Sequence, residues 1–356
     1  MASDETRSNG LHCPRGAALH GLQETESADR AAGSGSVLSR RGFLGVAASV
    51  AGGSVLGPLN AWATDPSLRV PPGGRASRVV RIQNRYVANG PEVHRAVFGE
   101  MLDRAMIALT RKPMAEAAWR AVLRADDVIG LKFNRSGQDA LHTTNVVADV
   151  IIASIVQAGW RAEQIVCIEA PPEVEGRNAT TPAAPGYQSE VTDFGSGSDN
   201  LANVLEQVTA LITVPYLKSH NITGATCCLK NLSHGLIKHP AKFHRNGCSP
   251  YIADIVALPQ IRDKLRLCLV DATRVVFDKG PEPNASTISD EGLLLASADP
   301  VATDSVATTI LNDVRRQNRL GPITGRGEQL GYIRDAQGAG LGVAEWAGID
   351  LVDATP

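Results

Sequence analysis

Short apolar runs alternate with longer amphipathic stretches along most of this chain. Six runs are short enough to be buried strands, and they span residues 79–82, 128–133, 165–168, 211–214, 265–270 and 293–296. Between them, apolar residues recur with helical spacing, most clearly over 93–109, 145–158, 252–264 and 301–314. This alternation predicts an α/β fold with a mostly parallel open sheet, helices on both faces and a ligand crevice at the carboxyl ends of the strands.

Polar side chains stand at or just beyond the ends of several predicted strands. Because the carboxyl ends of parallel strands share one edge of a sheet, we expect these residues to line one crevice. The residues concerned are Lys132, Asn134, Lys218, His220, Asp271 and Asp299. Asp299 also precedes Pro300 at the start of a predicted helix, which is typical of a helix N-cap.

One segment, residues 207–253, contains no Asp or Glu, although the whole chain has 37 acidic residues among 356 and a net charge of only −2. The segment holds four of the eight histidines and three of the six cysteines, mixed with lysine, glycine and proline. A segment of one sign attracts ions of the other sign. We interpret it as a loop-built site for an anion, a metal or both; the alternative is a solvated basic face.

The amino-terminal region predicts export. Residues 39–44 form a twin-arginine motif around Arg40 and Arg41, an uncharged run follows, and residues 61–63 give a small-x-small cleavage pattern. We therefore predict a signal peptide with a long polar leader over 1–63, a linker over 64–76 and a single α/β domain over 77–353. The expected partner is the twin-arginine translocase, and the expected location is the periplasm or the exterior.

Composition beyond the leader argues against two other classes of protein. The near-neutral charge gives no global basic bias of the kind that nucleic-acid binding needs, and no segment approaches the ~18 apolar residues of a membrane span. No Cys-x-x-Cys motif or ferredoxin-type cysteine run occurs, which disfavours an iron–sulfur cluster.

Lysines, amides and histidines in these segments suggest specific chemistry. We expect Lys218 and Lys230 to contact an anion, with Lys132, Asn134 and Asn231 completing a carboxylate or phosphate site.

His220 and His244 are the best candidate metal ligands, and we expect them to converge with Asp271 or Asp304 nearby. Imidazoles with a carboxylate suit zinc or iron. His220, Lys218 and Lys230 are the candidate catalytic groups. His234, His239 and Cys248 rank lower.

Several motifs resemble the family catalogued as domain of unknown function 362. That family shows V-P-K-x-K-[TS]-H, then L-K-N before a glycine, and later an R/F-H pair. Here the corresponding letters are VPYLKSH at 214–220, LKN at 229–231 and FH at 243–244, with Tyr216 in place of a lysine. VIGLKFN at 128–134, VDA at 270–272, GP at 280–281, ADPVATD at 298–304 and GLG at 340–342 resemble further blocks. The likeness covers about residues 77–353 and implies the fold and the position of the site.

Residues and resemblance together predict an exported metal-dependent enzyme that acts on a small anionic substrate. Two other hypotheses remain open at this point. One is a non-catalytic protein that binds a metal or an anion. The other is an iron–sulfur redox or maturation factor, because some members of the family carry iron–sulfur modules.

Overall fold

A nine-stranded sheet forms the centre of the protein. The computed structural model describes residues 76–324 and 328–356, so the predicted signal peptide and all but the last residue of the predicted linker lie outside the described residues. Along its main path the sheet has the order β13-β1-β12-β11-β8-β4-β5, and β9 joins it by pairing with β11 and with β10. The strands are β1 (Ser77–Gln83), β4 (Ile129–Lys132), β5 (Ile165–Ile168), β8 (Ala210–Thr213), β9 (Tyr216–His220), β10 (Gly224–Thr226), β11 (Leu265–Val276), β12 (Ile288–Ser297) and β13 (Ile349–Asp353). Two small hairpins lie apart from it, β2 (Ala88–Asn89) with β3 (Glu92–Val93) and β6 (Tyr187–Asp193) with β7 (Ser198–Ala202).

Helices cover both faces of the sheet. They are α1 (Arg95–Thr110), α2 (Ala115–Val122), α3 (Gln138–Leu141), α4 (Thr144–Gln157), α5 (Pro172–Asn178), α6 (Val204–Gln207), α7 (Cys228–Ser233), α8 (Tyr251–Val256), α9 (Pro259–Arg262), α10 (Pro300–Gln317) and α11 (Gly331–Gly338). Side chains of one strand alternate between the faces. Leu267 and Leu269 therefore pack into the core with α1, α2 and α4, whereas Cys268 and Val270 pack into the core with α7, α8, α10 and α11.

The structure confirms the α/β class and the mostly parallel sheet, and each of the six predicted strands is present. The pairs β4–β5, β4–β8, β8–β11, β9–β11 and β1–β13 are parallel. Helix α10 begins as predicted, because the Asp299 side chain accepts hydrogen bonds from the backbone N–H groups of Val301 and Ala302. Within the described residues, no helix combines the length and the apolar character needed to cross a membrane.

Four expectations about local structure were wrong. Strand β12 runs antiparallel to β1 and β11, so Asp299, which follows it, does not lie at the edge where β4, β5 and β8 end. Asp271 lies inside β11, which continues to Val276. The predicted helix over 252–264 is two helices, because Pro259 cannot donate a backbone hydrogen bond and α9 restarts there. The acid-free segment contains β9, β10 and α7, so it is much more regular than a loop.

Candidate functional site

The site is built where the chain leaves β8 and continues as β9. Val214 still donates a backbone hydrogen bond to Lys132 O at 2.7 Å. Pro215 cannot donate, and its carbonyl oxygen instead accepts from Asp271 N at 2.9 Å. Strand β9 thereby shifts to pair with the second half of β11, and all five of its residues are buried. This shift carries Lys218 and His220 into the interior beyond the ends of β4 and β8.

Five residues form what we call the amide–lysine network: Lys132, Asn134, Glu169, Lys218 and Asn231. The fully buried Lys132 Nζ donates to Glu169 Oε2 at 2.8 Å and to Asn231 Oδ1 at 3.0 Å. Asn231 Nδ2 donates in turn to Lys132 O and Thr213 Oγ1, both at 2.9 Å. These bonds tie α7 to the ends of β4 and β8.

Lys218 differs from Lys132 in having neutral partners. Its Nζ donates to Asn134 Oδ1 at 2.8 Å and to Ser136 Oγ at 3.0 Å. Among the described residues, no carboxylate oxygen lies within 4.0 Å of the Lys218 ammonium. Burial lowers the pKa of Lys218 to about 7, although the charge of Glu282 opposes this shift.

Gly235 lies in the turn that follows α7, and it permits this turn to approach Lys132 of the network closely. A Cβ atom at this position would lie 2.3 Å from Lys132 Nζ and 2.7 Å from Lys132 Cε. The lysine cannot easily move away, because its Nζ is already held by Glu169, Asn231 and the carbonyl oxygen of Phe133. A glycine is therefore required a few residues after Lys230 and Asn231.

A second cluster adjoins the network, and we call it the imidazole group: His220, Lys230, His234, His244 and Cys248. Lys230 Nζ lies 3.2 Å from His220 Nε2 and 3.3 Å from His244 Nε2. The rings of His220 and His244 are stacked with centroids 5.6 Å apart, and His234 meets His244 edge-on at 4.7 Å. The predicted convergence of His220 with His244 is thus present in the structure.

Backbone groups define which imidazole nitrogens carry protons. His220 Nδ1 accepts from Ile222 N at 3.1 Å and from Thr223 N at 3.3 Å. A carbonyl oxygen can only accept, so His244 Nδ1 donates to Pro240 O at 3.0 Å and His234 Nε2 donates to Phe243 O at 3.3 Å. Neutral His244 therefore presents a lone pair at Nε2.

Electrostatics keeps these imidazoles neutral. Burial, reinforced by the Lys230 charge, lowers the pKa of His220 to about 3 and that of His234 to about 2, and it also lowers the pKa of His244. Burial lowers the pKa of Lys230 to about 8. Neutral His244 and His234 therefore keep one ring lone pair each, at Nε2 and Nδ1, whereas the Nδ1 lone pair of His220 is already used by two backbone N–H groups.

Two groups of three side chains in the described part of the chain could hold a metal ion. The first is His234, His244 and Cys248, and the second is Cys227, Cys228 and Asp304; within each, the ligand atoms lie within 4.8 Å of one another. In the second group the Asp304 carboxylate accepts from Cys228 N at 2.8 Å and Leu229 N at 3.2 Å, as a cap for α7. In the first group, the backbone bonds of His244 and His234 leave one nitrogen on each ring, and these nitrogens meet side chains: His244 Nε2 faces Lys230 Nζ, and His234 Nδ1 lies 3.1 Å from Ser233 Oγ.

The predicted site residues fall into three places. Lys132, Asn134, Lys218 and Asn231 meet in the amide–lysine network, whereas Lys230, His220 and His244 meet in the imidazole group. The carboxylates lie elsewhere: Asp304 caps α7, and Asp271 accepts from Thr143 Oγ1 at 2.5 Å and Thr273 Oγ1 at 2.6 Å.

Sequence reasoning did not consider Glu169 and Ser136 as lysine partners, and it ranked His234 and Cys248 below the other candidates, although both belong to a candidate metal group. The absence of acids over 207–253 was the signal that pointed to His234 and Cys248, since both lie in that segment.

An open cleft of about 540 Å³ reaches the His220 end of the imidazole group. Its lining combines turns and basic side chains, including His220, Thr223, Asn246, Lys279 and Arg315. Gly280 shapes the cleft, because a Cβ atom there would lie 1.9 Å from Ser219 O. The cleft gives a small polar molecule a route to the edge of the cluster.

Fold and site together define a mixed α/β protein with a buried lysine–histidine cluster beyond the ends of parallel strands. Residues 187–309 match the family model described as Domain of unknown function (DUF362). The matched segment includes the whole imidazole group and Lys218, but not Lys132, Asn134 or Glu169. No curated protein matches the chain significantly.

Proposed function

We propose that this chain is an exported metal-dependent enzyme that acts on a small anionic substrate bearing a carboxylate or a phosphate. One observation carries the proposal: Lys218 and Lys230 are both buried, yet neither has a carboxylate within 4.0 Å among the described residues. Burying an ammonium without a counter-charge is expensive. An anionic substrate would supply the missing negative charge.

The surrounding donors suit such a ligand. Asn134 and Ser136 offer an amide and a hydroxyl beside the Lys218 ammonium. His220 and Lys218 are then the candidate acid–base groups, because their environments move their pKa values far from those of exposed side chains. Asn134 and Ser136 hold the Lys218 ammonium in place, and the backbone N–H groups of Ile222 and Thr223 orient the His220 ring.

A divalent metal, zinc or iron, would add Lewis-acid chemistry beside the anion. The group His234, His244 and Cys248 supports this part of the proposal, since imidazole and thiolate are ligands that zinc accepts. An iron–sulfur cluster receives less support: the two candidate metal groups among the described residues contain at most two cysteines each, whereas common clusters use four.

A non-catalytic binding protein is the second candidate. The observation that favours it is that the network is shut off from solvent. Lys132, Lys218 and Asn231 are each exposed by 1% or less and are linked through shared side-chain amides. Elemental analysis of protein folded in its native host separates the candidates at the level of the metal. Zinc or mononuclear iron supports the enzyme, iron with acid-labile sulfide supports a redox factor, and the absence of metal supports the non-catalytic binding protein.

The anion site is tested with Lys218→Met, assayed by calorimetry with inorganic phosphate and malonate in the presence of a chelator. We expect the variant to lose about 1–3 kcal/mol of binding free energy, the scale of a charge-assisted hydrogen bond. Lys238→Met is the matched control, because Lys238 is an exposed lysine of the same acid-free segment. Equal affinities for all three proteins would contradict the anion site.

Export is tested by replacing Arg40 and Arg41 with lysine and fractionating the cells. We expect the variant to remain in the cytoplasm with its leader uncleaved, because the translocase reads the arginine pair. A processed periplasmic protein that begins near Thr64 in this variant would contradict the export proposal.

A further inference from the structure

One buried ammonium lies beside a nitrogen that a metal ion would need. Lys230 Nζ lies 3.3 Å from His244 Nε2, and His244 is also a member of the group whose other side chains are His234 and Cys248. The Lys230 charge also acts on His234 and Cys248. Lys230 thus places its cation next to a set of side chains that could bind another cation.

The hydrogen-bond directions make the two occupants exclusive. His244 Nδ1 donates to Pro240 O, so the lone pair of the neutral ring is at Nε2. That lone pair can accept an N–H from Lys230 or bind a metal, but it cannot do both. A backbone carbonyl on the far nitrogen is also the usual way in which a metal-binding imidazole is oriented.

We propose that His234, His244 and Cys248 form a divalent metal site, and that the Lys230 ammonium is its internal occupant in the metal-free protein. Metal entry must displace Lys230 Nζ from His244 Nε2. The proposal rests on the proposed function only in assigning a metal to this protein, and it adds the ligand set and the residue that opposes loading.

The ligand spacing is close to what a zinc-like ion requires. Tetrahedral bonds of ~2.0–2.1 Å to nitrogen and ~2.3 Å to sulfur place ligand atoms about 3.3–3.6 Å apart. The three side chains offer atoms within 4.8 Å of one another, so metal binding requires these atoms to move closer by about an ångström. A fourth position is left for water or substrate, as in catalytic zinc sites.

Cobalt(II) titration of the metal-free full chain tests the ligand set, because a cobalt–thiolate bond gives a charge-transfer absorption band. We expect this band in the wild type. It should vanish in Cys248→Ser and be lost or need at least tenfold more cobalt in His244→Gln. Cys167→Ser and His239→Gln are matched controls that should retain it, since Cys167 lies in the opposite core and His239 pairs with Asp199.

Lys230→Met tests the displacement. Methionine keeps much of the length of the side chain without its charge or its hydrogen bonds. We expect the variant to give the same band at a free cobalt concentration at least tenfold lower than the wild type. Zinc should abolish the band by competition, again at lower concentration in the variant.

Three outcomes would overturn the proposal. A band that survives in Cys248→Ser would place the metal elsewhere, and the absence of any band in both the wild type and Lys230→Met would remove the site. Unchanged or weaker cobalt affinity in Lys230→Met would refute displacement. If Cys248→Ser does not fold, His244→Gln gives the same readout, because His244 is only partly buried. Anion binding is measured with a chelator present, so failure of either experiment leaves the other informative.

Discussion

The amide–lysine network and the imidazole group both bury a lysine ammonium next to α7, but the two ammonium groups differ in whether a carboxylate neutralises them. In the network, Lys132 faces the Glu169 carboxylate at 2.8 Å. In the imidazole group, Lys230 faces two ring nitrogens at 3.2 and 3.3 Å and has no carboxylate within 4.0 Å in the described part of the chain. A neutralised ammonium strengthens a framework, whereas an ammonium without a counter-charge leaves a place for an anion or a competing cation. The comparison therefore separates the paired lysine, which supports the structure of the site, from the unpaired lysine, which is available to a ligand.

The largest expected effect is on stability, and it contrasts two lysine variants. Lys132→Met should lose about 3 kcal/mol of unfolding free energy, because it strands Glu169 and the Asn231 carbonyl oxygen around a buried apolar group. Lys230→Met should change the same quantity by less than about 1 kcal/mol, since it removes a buried charge that no carboxylate compensates. Urea unfolding measures both. If both variants lost the same unfolding free energy, the two lysines would not differ in their contribution to stability.

A smaller loss of unfolding free energy should follow from adding a methyl group at Gly235, which lies against Lys132. Gly235→Ala places a methyl group against Lys132 Nζ and should cost about 1–3 kcal/mol, the usual penalty for overpacking. Gly338→Ala is the control, because a Cβ atom on that residue of α11 meets nothing within 4 Å. Thermal unfolding of the two variants compares them directly. If Gly235→Ala is as stable as Gly338→Ala, the network is looser than its hydrogen bonds indicate.

Much of the framework followed from periodicity, because a run of buried apolar residues reports a strand directly. The ends of β4, β8 and their neighbours placed Lys132, Asn134 and Lys218 in one region by topology alone. Periodicity does not report strand direction, however. The antiparallel course of β12 therefore went unpredicted, and with it the position of Asp299.

The imidazole group was harder to predict than the network. His220 lies on a regular strand, but His244 follows one short 3-10 turn and Cys248 ends the next, and no hydrophobic pattern defines the path of these turns. The surroundings of Asp304 were unpredictable for a different reason: it lies inside α10, but its carboxylate accepts from backbone N–H groups of a helix distant in sequence and belongs to the second candidate metal group, away from the imidazole group. Long-range capping of this kind leaves no local signature.

The smallest expected effect concerns Lys218, which belongs to the network but, like Lys230, has no carboxylate in contact among the described residues. Burial lowers its pKa to about 7, so the side chain is an ammonium below that pH and an amine above it. Malonate keeps its charge from about pH 7 to pH 9, and its affinity should therefore fall by at most about tenfold per pH unit above pH 7.

The stability of the protein should rise with pH over the range in which the affinity for malonate falls. The unfolded lysine, with the ordinary pKa of 10.5, binds more protons than the folded one between pH 7 and pH 10, so the contribution of Lys218 to the unfolding free energy rises with pH across this window. Lys218→Met should flatten both profiles, measured by calorimetry and urea unfolding across the same pH range. A variant that keeps the wild-type slope in malonate affinity would assign the titration to another group. In that case the unpaired charge that attracts the anion would lie in the imidazole group alone, and Lys218 would belong with Lys132 to the framework.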